Sequence, residues 1–244
     1  MRHLLVINPN TSDSVTALLR THVLAASAPD VAAHTVTAGF GARYISSEAS
    51  YAIAGHAVMD AWAGWLAQGG PEPDAVLIGC FGDPGLLALR ECSAAPVMGL
   101  AEAAFLEAAE YGRFAVVTGG AAWKPMLQRL AYSLGYGDSL AHIHTVEATG
   151  AELAADPAAA RVLLAHACRE AAQTSGVQAV ILGGAGLAGM AAQIQAEVGV
   201  PVVDSVLAGA RQALLAPASA MTRSALPGSW MNLSPELMAL AADA

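Results

Sequence analysis

A repeated stretch of sequence constrains the fold of this chain more than any other feature. The sequence DAVLIGCFGDPGL begins at Asp74, and the sequence QAVILGGAGLAGM begins 104 positions later, at Gln178. Each copy is an apolar run that ends in a glycine-rich turn before a predicted helix. The first turn carries Cys80, whereas the matching position of the second turn is Gly184.

The segments that flank this repeat also occur twice and in the same order. LLVINPNTS from Leu4 resembles FAVVTGGAA from Phe114, and APVMGLAEA from Ala95 resembles VPVVDSVLA from Val200. Two copies are too few for a solenoid, which needs at least three repeats. Three matched pairs therefore predict two structural halves of similar topology.

The order of predicted elements gives the fold class. Strands alternate with helices and no β-hairpin signal occurs, which is typical of an α/β fold with parallel sheets. We expect two similar α/β domains with four-stranded parallel sheets, related by pseudo-twofold symmetry, and an active site in the cleft between them. The first domain is expected to contain residues 1–97 and 205–244, and the second residues 98–204.

Composition limits the partners and the location of the protein. A net charge of −9 without a Lys/Arg cluster argues against nucleic acid and anionic membranes as partners. No apolar run reaches the roughly 18 residues of a spanning helix, and the start MRHLLVINPN fits a first strand better than a secretion signal. We expect a cytoplasmic protein whose partner is a small molecule. With 55% hydrophobic and only 13% charged residues, a homo-oligomer is expected.

The three cysteines differ in their sequence surroundings. An odd count without a C-x-x-C pair suggests neither a disulfide framework nor a zinc site. Cys80 follows a predicted strand and precedes a predicted helix, whose N–H groups are expected to stabilise a thiolate. Cys92 and Cys168 lie in helix-like stretches and are predicted to be inert, buried small hydrophobes.

Polar residues follow two of the predicted strands. NPNTS, with Asn8, Asn10 and Thr11, ends the first strand, and Thr118 with Gly119 ends its counterpart in the second half. Such residues serve as turn and cap residues, or they bind ligands, because open parallel sheets bind ligands at the carboxyl ends of their strands.

The second glycine turn has an alternative interpretation. GAGLAG from Gly184 to Gly189 matches the dinucleotide-binding pattern, and Asp204 stands 20 positions after Gly184. However, only 40 residues follow Asp204, with no clear further strand, and the duplication explains the same glycines without any cofactor. A dinucleotide-dependent oxidoreductase is therefore the remote alternative.

Several motifs together resemble one known family. INPNTS, LIGCFGDPGL, PVMGLAEAA, TGAELAADP and ILGGAGLAG are similar to motifs of the aspartate/glutamate/hydantoin racemase superfamily, and most similar to its hydantoin and allantoin racemase branch. The similarity extends from the N-terminus to about Arg211. It implies an enzyme without metal or cofactor, built from two similar α/β domains with a catalytic cysteine in each.

Carried over to this sequence, the resemblance gives Cys80 the place of the first catalytic cysteine. Gly184 stands where the family has its second cysteine. Substrate contacts are expected from Asn8, Asn10, Thr11, Ser47, Phe81, Thr118, Gly119 and Ala185.

Three functions stay open at this point. Cys80 deprotonates a carbon acid such as a 5-substituted hydantoin, allantoin or an amino acid, and water returns a proton to the other face. Alternatively, Cys80 protonates the enolate of a decarboxylation, as a lyase of the same superfamily. In the third case, the protein binds a small acidic or ureide ligand with little catalysis.

Overall fold

The computed structural model of the protein describes residues 1–148, 150–216, 226 and 228–241. Two segments lie partly outside these residues: residues 147–150, where the sequence has loop and cap signals, and the C-terminal segment from Ala216, where turn residues precede a short apolar stretch.

Two parallel four-stranded sheets form the framework, one in each half of the sequence. Their strand orders are β2-β1-β3-β4 and β6-β5-β7-β8, so the second sheet repeats the topology of the first. The prediction of two similar α/β domains is thereby confirmed. The strands are β1 (Arg2–Asn8), β2 (Val31–Thr37), β3 (Ala75–Ile78), β4 (Val97–Gly99), β5 (Phe114–Gly119), β6 (Leu140–Val146), β7 (Ala179–Leu182) and β8 (Val202–Asp204).

Helices connect and cover these strands. Their ends follow the capping rules: Ser47 caps α2, and Asp156 with Pro157 begins α7. The helices of the described residues are α1 (Asp13–Ala26), α2 (Glu48–Ala67), α3 (Leu86–Cys92), α4 (Leu100–Ala109), α5 (Trp123–Ser133), α6 (Gly150–Ala155), α7 (Pro157–Ala172), α8 (Met190–Ile194), α9 (Ser205–Ala213) and α10 (Pro235–Ala241).

The middle residues of the central strands are apolar because helices cover both faces of each sheet. Leu4 and Leu77 of the first sheet and Phe114 and Ile181 of the second belong to one shared hydrophobic core. Two further clusters fill the outer faces, under α2 and α3 on one side and under α7 and α8 on the other. The two sheets are therefore joined through a continuous apolar interior.

Two helices, α4 and α9, lie at the junction between the two halves of the chain. α4 packs against α9, and it also contacts β7 and β8, whereas α9 contacts β3 and β4. Gly209 allows this close approach, because a Cβ there would lie 2.7 Å from Leu100 and 3.1 Å from Leu77. The predicted domain boundaries at residues 97 and 205 stay a prediction, since the core is shared by both halves.

The C-terminal helix α10 packs on the main body. Leu237 of α10 lies in the same cluster as Trp62 of α2, and Leu240 packs against it. Within the described residues, no helix is long and apolar enough to cross a membrane.

A buried carboxylate fixes the turn after β3 to helix α4. The oxygens of Asp83 accept hydrogen bonds from the backbone N–H groups of Ala101 and Glu102, each at 2.8 Å. The carboxylate lies directly over Gly99, where an added Cβ would be 2.0 Å from the Asp83 carboxyl carbon. A side chain at position 99 would therefore displace the Asp83 carboxylate from its hydrogen bonds to Ala101 and Glu102.

We predict that Gly99→Ala lowers the free energy of unfolding by about 1–3 kcal/mol, because the new methyl group displaces the Asp83 carboxylate. Gly199→Ala is the matched control: no atom lies within 4 Å of a Cβ at that position. It should change the free energy of unfolding by less than about 1 kcal/mol. Urea denaturation of both variants measures the difference. Equal stabilities of the two variants would contradict the claim that the Asp83 carboxylate holds the turn against α4.

Candidate active site

A cavity of about 620 Å³ opens at the carboxyl ends of the central strands of both sheets. Cys80 after β3 lines it from the first half, and Gly184 after β7 lines it from the second. Thr118 and Gly119, at the end of β5, also contribute. Carboxyl ends of parallel strands are the usual place for ligand sites in open α/β sheets.

The two glycine-rich turns contact each other directly. Phe81 follows Cys80, Gly183 precedes Gly184, and a Cβ added at Gly183 would lie 2.2 Å from the Phe81 ring. The ring therefore occupies the space that a side chain at position 183 would need. This contact brings Cys80 and position 184 to one cavity, as the duplication predicted.

Cys80 is largely buried, with 8% of its surface exposed, and it packs with Ile45 and Ala54 while lining the cavity. Burial raises the pKa of its thiol, and the Asp83 carboxylate raises it further. At neutral pH the resting side chain is therefore an uncharged thiol.

The expectation that helical N–H groups stabilise a thiolate at Cys80 is wrong. Helix α3 begins only at Leu86, after a turn in which Asp83 donates its backbone N–H to the Cys80 carbonyl at 3.1 Å. The charge nearest the thiol in this turn is the negative one of Asp83, which opposes ionisation.

Of the three polar residues predicted at the end of the first strand, only Asn10 lines the cavity. Its Oδ1 accepts hydrogen bonds from Asn8 Nδ2 at 3.0 Å and from the Ser12 N–H at 2.9 Å. Asn10 Nδ2 makes no hydrogen bond to the described part of the chain, so it can donate to a ligand. Asn8 is fully buried behind it and holds Asn10, and the Thr11 N–H bonds to Ala42.

Ser47 also does not line the cavity, and its hydroxyl caps α2 by accepting the Ser50 N–H at 3.2 Å. The neighbouring Ser46 lines the cavity instead. None of Asn8, Thr11 and Ser47 lines this cavity in the described structure, and the substrate contacts expected from them stay predictions.

The other predicted positions lie where the sequence placed them. Thr118, Gly119, Phe81 and Ala185 all line the cavity, and Thr118 is buried except for 5% of its surface. Phe81 lies mostly in the core, with its ring edge-on to Phe105 at 6.2 Å. Its role in the structure is to separate the core from the cavity.

Gly184 differs from Cys80 in its backbone as well as in its side chain. It has a φ of +150°, a conformation that L-residues rarely adopt. Its N–H donates to the Ser205 hydroxyl at 3.2 Å, and the next residues form a 3₁₀ turn, Ala185–Leu187. The N–H groups of Ala185 and Gly186 make no hydrogen bond within the described residues.

The geometry of GAGLAG does not support a dinucleotide site. The Asp204 carboxylate, which would bind a ribose, accepts hydrogen bonds from three backbone N–H groups, those of Gly189, Val206 and Leu207. It is 95% buried and caps α9. The remote oxidoreductase alternative therefore has no acid free to bind a ribose.

Sequence reasoning missed much of the cavity wall. The first turns of α1 face the second glycine turn, and the loop before α2 closes the side near Cys80. An amphipathic pattern in α1 gave no signal for a ligand, since its apolar face is equally suited to the core. The missed lining residues include Ser14, Val15, Leu18, Tyr44, Ile45, Ser46, Trp123 and Leu187.

The cavity is electrically neutral. None of the described lining residues is Asp, Glu, Lys, Arg or His. Its wall includes unpaired hydrogen-bond donors on Asn10, Ala185 and Gly186. Such a wall suits an uncharged ligand with carbonyl oxygens better than one with a free carboxylate.

Comparison with known proteins agrees with this architecture. The model of the Asp/Glu/hydantoin racemase family matches residues 4–213. The chain belongs to the Asp/Glu/hydantoin racemase family. This confirms the resemblance to the superfamily that its motifs predicted.

Among members of this racemase family, the chain is 33% identical to a hydantoin racemase of Pseudomonas sp. (strain NS671), over 84% of this chain and 82% of the relative. It is 32% identical to a hydantoin racemase of Paenarthrobacter aurescens, over 86% and 89% of the two chains. The solved structure of an allantoin racemase from Klebsiella pneumoniae superposes with a TM-score of 0.88 at 30% identity, covering 99% of this chain and 100% of the other. These relatives confirm the hydantoin and allantoin racemase branch and support the prediction of an isomerase of the racemase type.

We predict that Gly184→Cys lowers the free energy of unfolding by about 1–3 kcal/mol, because the backbone at φ +150° does not accept a side chain without strain. Ala185→Cys places a thiol on the neighbouring cavity residue, in a helical turn, and is the matched control. Ala185→Cys should lower the free energy of unfolding clearly less than Gly184→Cys does. Thermal or urea unfolding compares the two variants. A Gly184→Cys variant as stable as Ala185→Cys would contradict the claim that the backbone at position 184 requires glycine.

Proposed function

We propose that the protein is a cofactor-independent racemase of 5-substituted hydantoins, including the ureide allantoin, and that Cys80 transfers the proton at C5. The observation that carries this proposal is a buried thiol at the wall of a neutral cavity that also has unpaired hydrogen-bond donors. Membership of the racemase family supports the reaction class, and the similarity to hydantoin and allantoin racemases supports the substrate class.

Removal of the C5 proton converts the neighbouring carbonyl into an enolate, and the donors of the cavity wall stabilise the oxygen on which charge develops. Asn10 Nδ2 is held for this role, because its amide oxygen is fixed by Asn8 and Ser12. The Thr118 hydroxyl and the N–H groups of Ala185 and Gly186 are further donors at the same wall. Preorganised donors of this kind need no rearrangement as the charge forms.

The two faces of the substrate ring exchange protons with different groups. Cys80 exchanges the proton on one face, whereas Gly184 offers no acid or base on the other. Ser14, Val15, Leu18 and Leu187, which surround the second turn, also carry no group that titrates near neutral pH. Water admitted at the second turn protonates that face.

A free amino acid is a poorer substrate in this proposal. Its carboxylate would need a cation or several donors directed at both oxygens, and the described cavity wall has no Arg or Lys. A hydantoin has the same stereocentre within a neutral ring, so its binding does not require burial of a full charge.

A single-cysteine decarboxylase is the second candidate, and the uncharged state of Cys80 favours it. A thiol that is protonated at rest is suited to donate a proton to the enolate left by loss of carbon dioxide. Against it stands the neutral wall, because a disubstituted malonate carries two carboxylates. Release of carbon dioxide from disubstituted malonates, without exchange of hydantoins, would favour this candidate.

We predict that the wild-type protein exchanges the C5 proton of a 5-monosubstituted hydantoin for deuterium in heavy water, with faster exchange at higher pH because more Cys80 is ionised. Cys80→Ala should reduce the rate by about 10²- to 10⁴-fold, the usual contribution of a general base. Cys92→Ala, which alters a buried thiol away from the cavity, is the control. Proton NMR measures the exchange, and a Cys80→Ala variant as fast as wild type would overturn the assignment.

We also predict that Thr118→Val lowers kcat of exchange by about 10²- to 10³-fold, with a smaller change in KM, because a donor to the developing oxyanion is lost from a site of the same shape. Thr21→Val removes an exposed hydroxyl of α1 whose bond is to Ala17 and serves as the control. A raised KM with an unchanged kcat would assign Thr118 to ground-state binding instead.

The cytoplasmic location and the homo-oligomer expected from composition stay predictions. Exposed apolar side chains such as Val162 and Leu163 on α7 are compatible with an interface. Light scattering in solution tests the assembly.

A further inference from the structure

The turn that carries Cys80 also holds the buried acid Asp83, which the proposed proton transfer does not use. Asp83 is 1% exposed and has a φ of +54°, which is uncommon for a residue other than glycine. Its backbone N–H donates to the Cys80 carbonyl, and its carboxylate accepts the N–H groups of Ala101 and Glu102. A carboxylate and a thiol are thus buried together within one turn.

The second half of the chain shows that the fold does not require an acid at this position. The residue that matches Asp83 is Leu187, which is buried and apolar. In the second half, the carboxylate that links the glycine turn to the following helix comes from the end of β8 and not from the turn. Asp204 accepts the Gly189 N–H at 2.7 Å and caps α9. The acid stands within the turn only in the half that has the thiol.

Charged and titratable groups approach Asp83 from four helices without neutralising it. Glu102 of α4 is paired with Arg90 of α3 at 2.7 Å. Arg129 of α5 is paired with Glu48 of α2 at 2.7 Å, and Tyr51 of α2 donates its hydroxyl to the Gly82 carbonyl. Among the described residues, no Lys, Arg or His bonds to the Asp83 carboxylate.

We propose that Asp83 is a positioning residue for Cys80: its carboxylate fixes the turn against α4, and its negative charge, where it is ionised, adds to burial in keeping the neighbouring sulfur in the thiol form. Substrate deprotonation then begins from a minor ionised form, and the resting thiol is protected from ionisation in a neutral cavity. The catalytic consequence rests on the proposed function, whereas the control of Cys80 ionisation does not.

The wild-type protein alone gives a first test, since two buried acids in one turn titrate as a coupled pair. Burial raises the pKa of Asp83 to about 7 against the effect of its backbone hydrogen bonds. Below that pH Asp83 is uncharged and Cys80 ionises more readily; above it, the new negative charge makes ionisation harder. The logarithm of the rate of Cys80 alkylation should therefore rise with pH, flatten near pH 7 and rise again.

Iodoacetamide is the probe, and peptide mass spectrometry separates Cys80 from Cys92 and Cys168. A rate that rises with constant unit slope through neutral pH in the wild-type protein would overturn the proposal. This measurement requires no substitution and no known substrate, so it stays decisive if a variant fails to fold.

Asp83→Asn gives the second test, because it removes the charge and keeps one acceptor for the α4 backbone. Its Cys80 alkylation should be at least about tenfold faster than wild type above neutral pH, which corresponds to a pKa lower by one unit or more. Asp204→Asn is the matched control, since it removes a buried helix-capping carboxylate with no thiol in its turn. Equal acceleration in both variants would show a general loosening of structure and overturn the proposal.

Kinetics separate this inference from the proposed function. In Asp83→Asn, the pH profile of kcat for deuterium exchange should shift to lower pH while KM changes little. Asp83→Glu keeps the charge and should retain the wild-type shape of the profile. If no variant exchanges any hydantoin, the proposed function fails, but the alkylation profiles still decide the role of Asp83.

Discussion

The contact between the two glycine-rich turns is the constraint on which the site depends. The Phe81 ring occupies the space beside Gly183, and no side chain fits at position 183 while the ring is there. Because Cys80 and Gly184 adjoin these two residues, the contact fixes both of them at one cavity. The duplicated topology brings the strand ends together, and the small residue at position 183 allows them to meet.

Charge is the second property that shapes the chemistry. The described cavity wall has no ionisable group apart from Cys80 and Tyr44, and burial together with Asp83 keeps Cys80 uncharged. In the proposed reaction, the negative charge that develops on the substrate meets hydrogen-bond donors rather than a fixed cation. Such a site distinguishes a neutral ring that becomes an enolate from a ligand that is already anionic.

The sequence predicted the framework well because the duplication and the alternation of strands and helices are properties of long segments. The two four-stranded parallel sheets expected from this alternation agree with the structure. The sequence predicted less well which side chains face the cavity: the polar residues at the end of β1 all suggested a ligand site, yet Asn8 turns inward to hold Asn10.

The ionisation of Cys80 was also misjudged, because the distance from the turn to α3 and the burial of Asp83 depend on tertiary packing. Position 184 was recognised from the repeat, but its glycine-only backbone conformation has no signature in sequence.

The central claim is that Cys80 and Gly184 face opposite sides of a planar, neutral ring. A crystal structure of the wild-type protein with an unreactive 5,5-disubstituted hydantoin tests it most directly. The account predicts the Cys80 sulfur within about 3–4 Å of C5 on one face, the Gly184 turn on the other face, and the ring carbonyls on Asn10 and Thr118. A ring bound with Cys80 in its plane, or outside the cavity between the two turns, would contradict it.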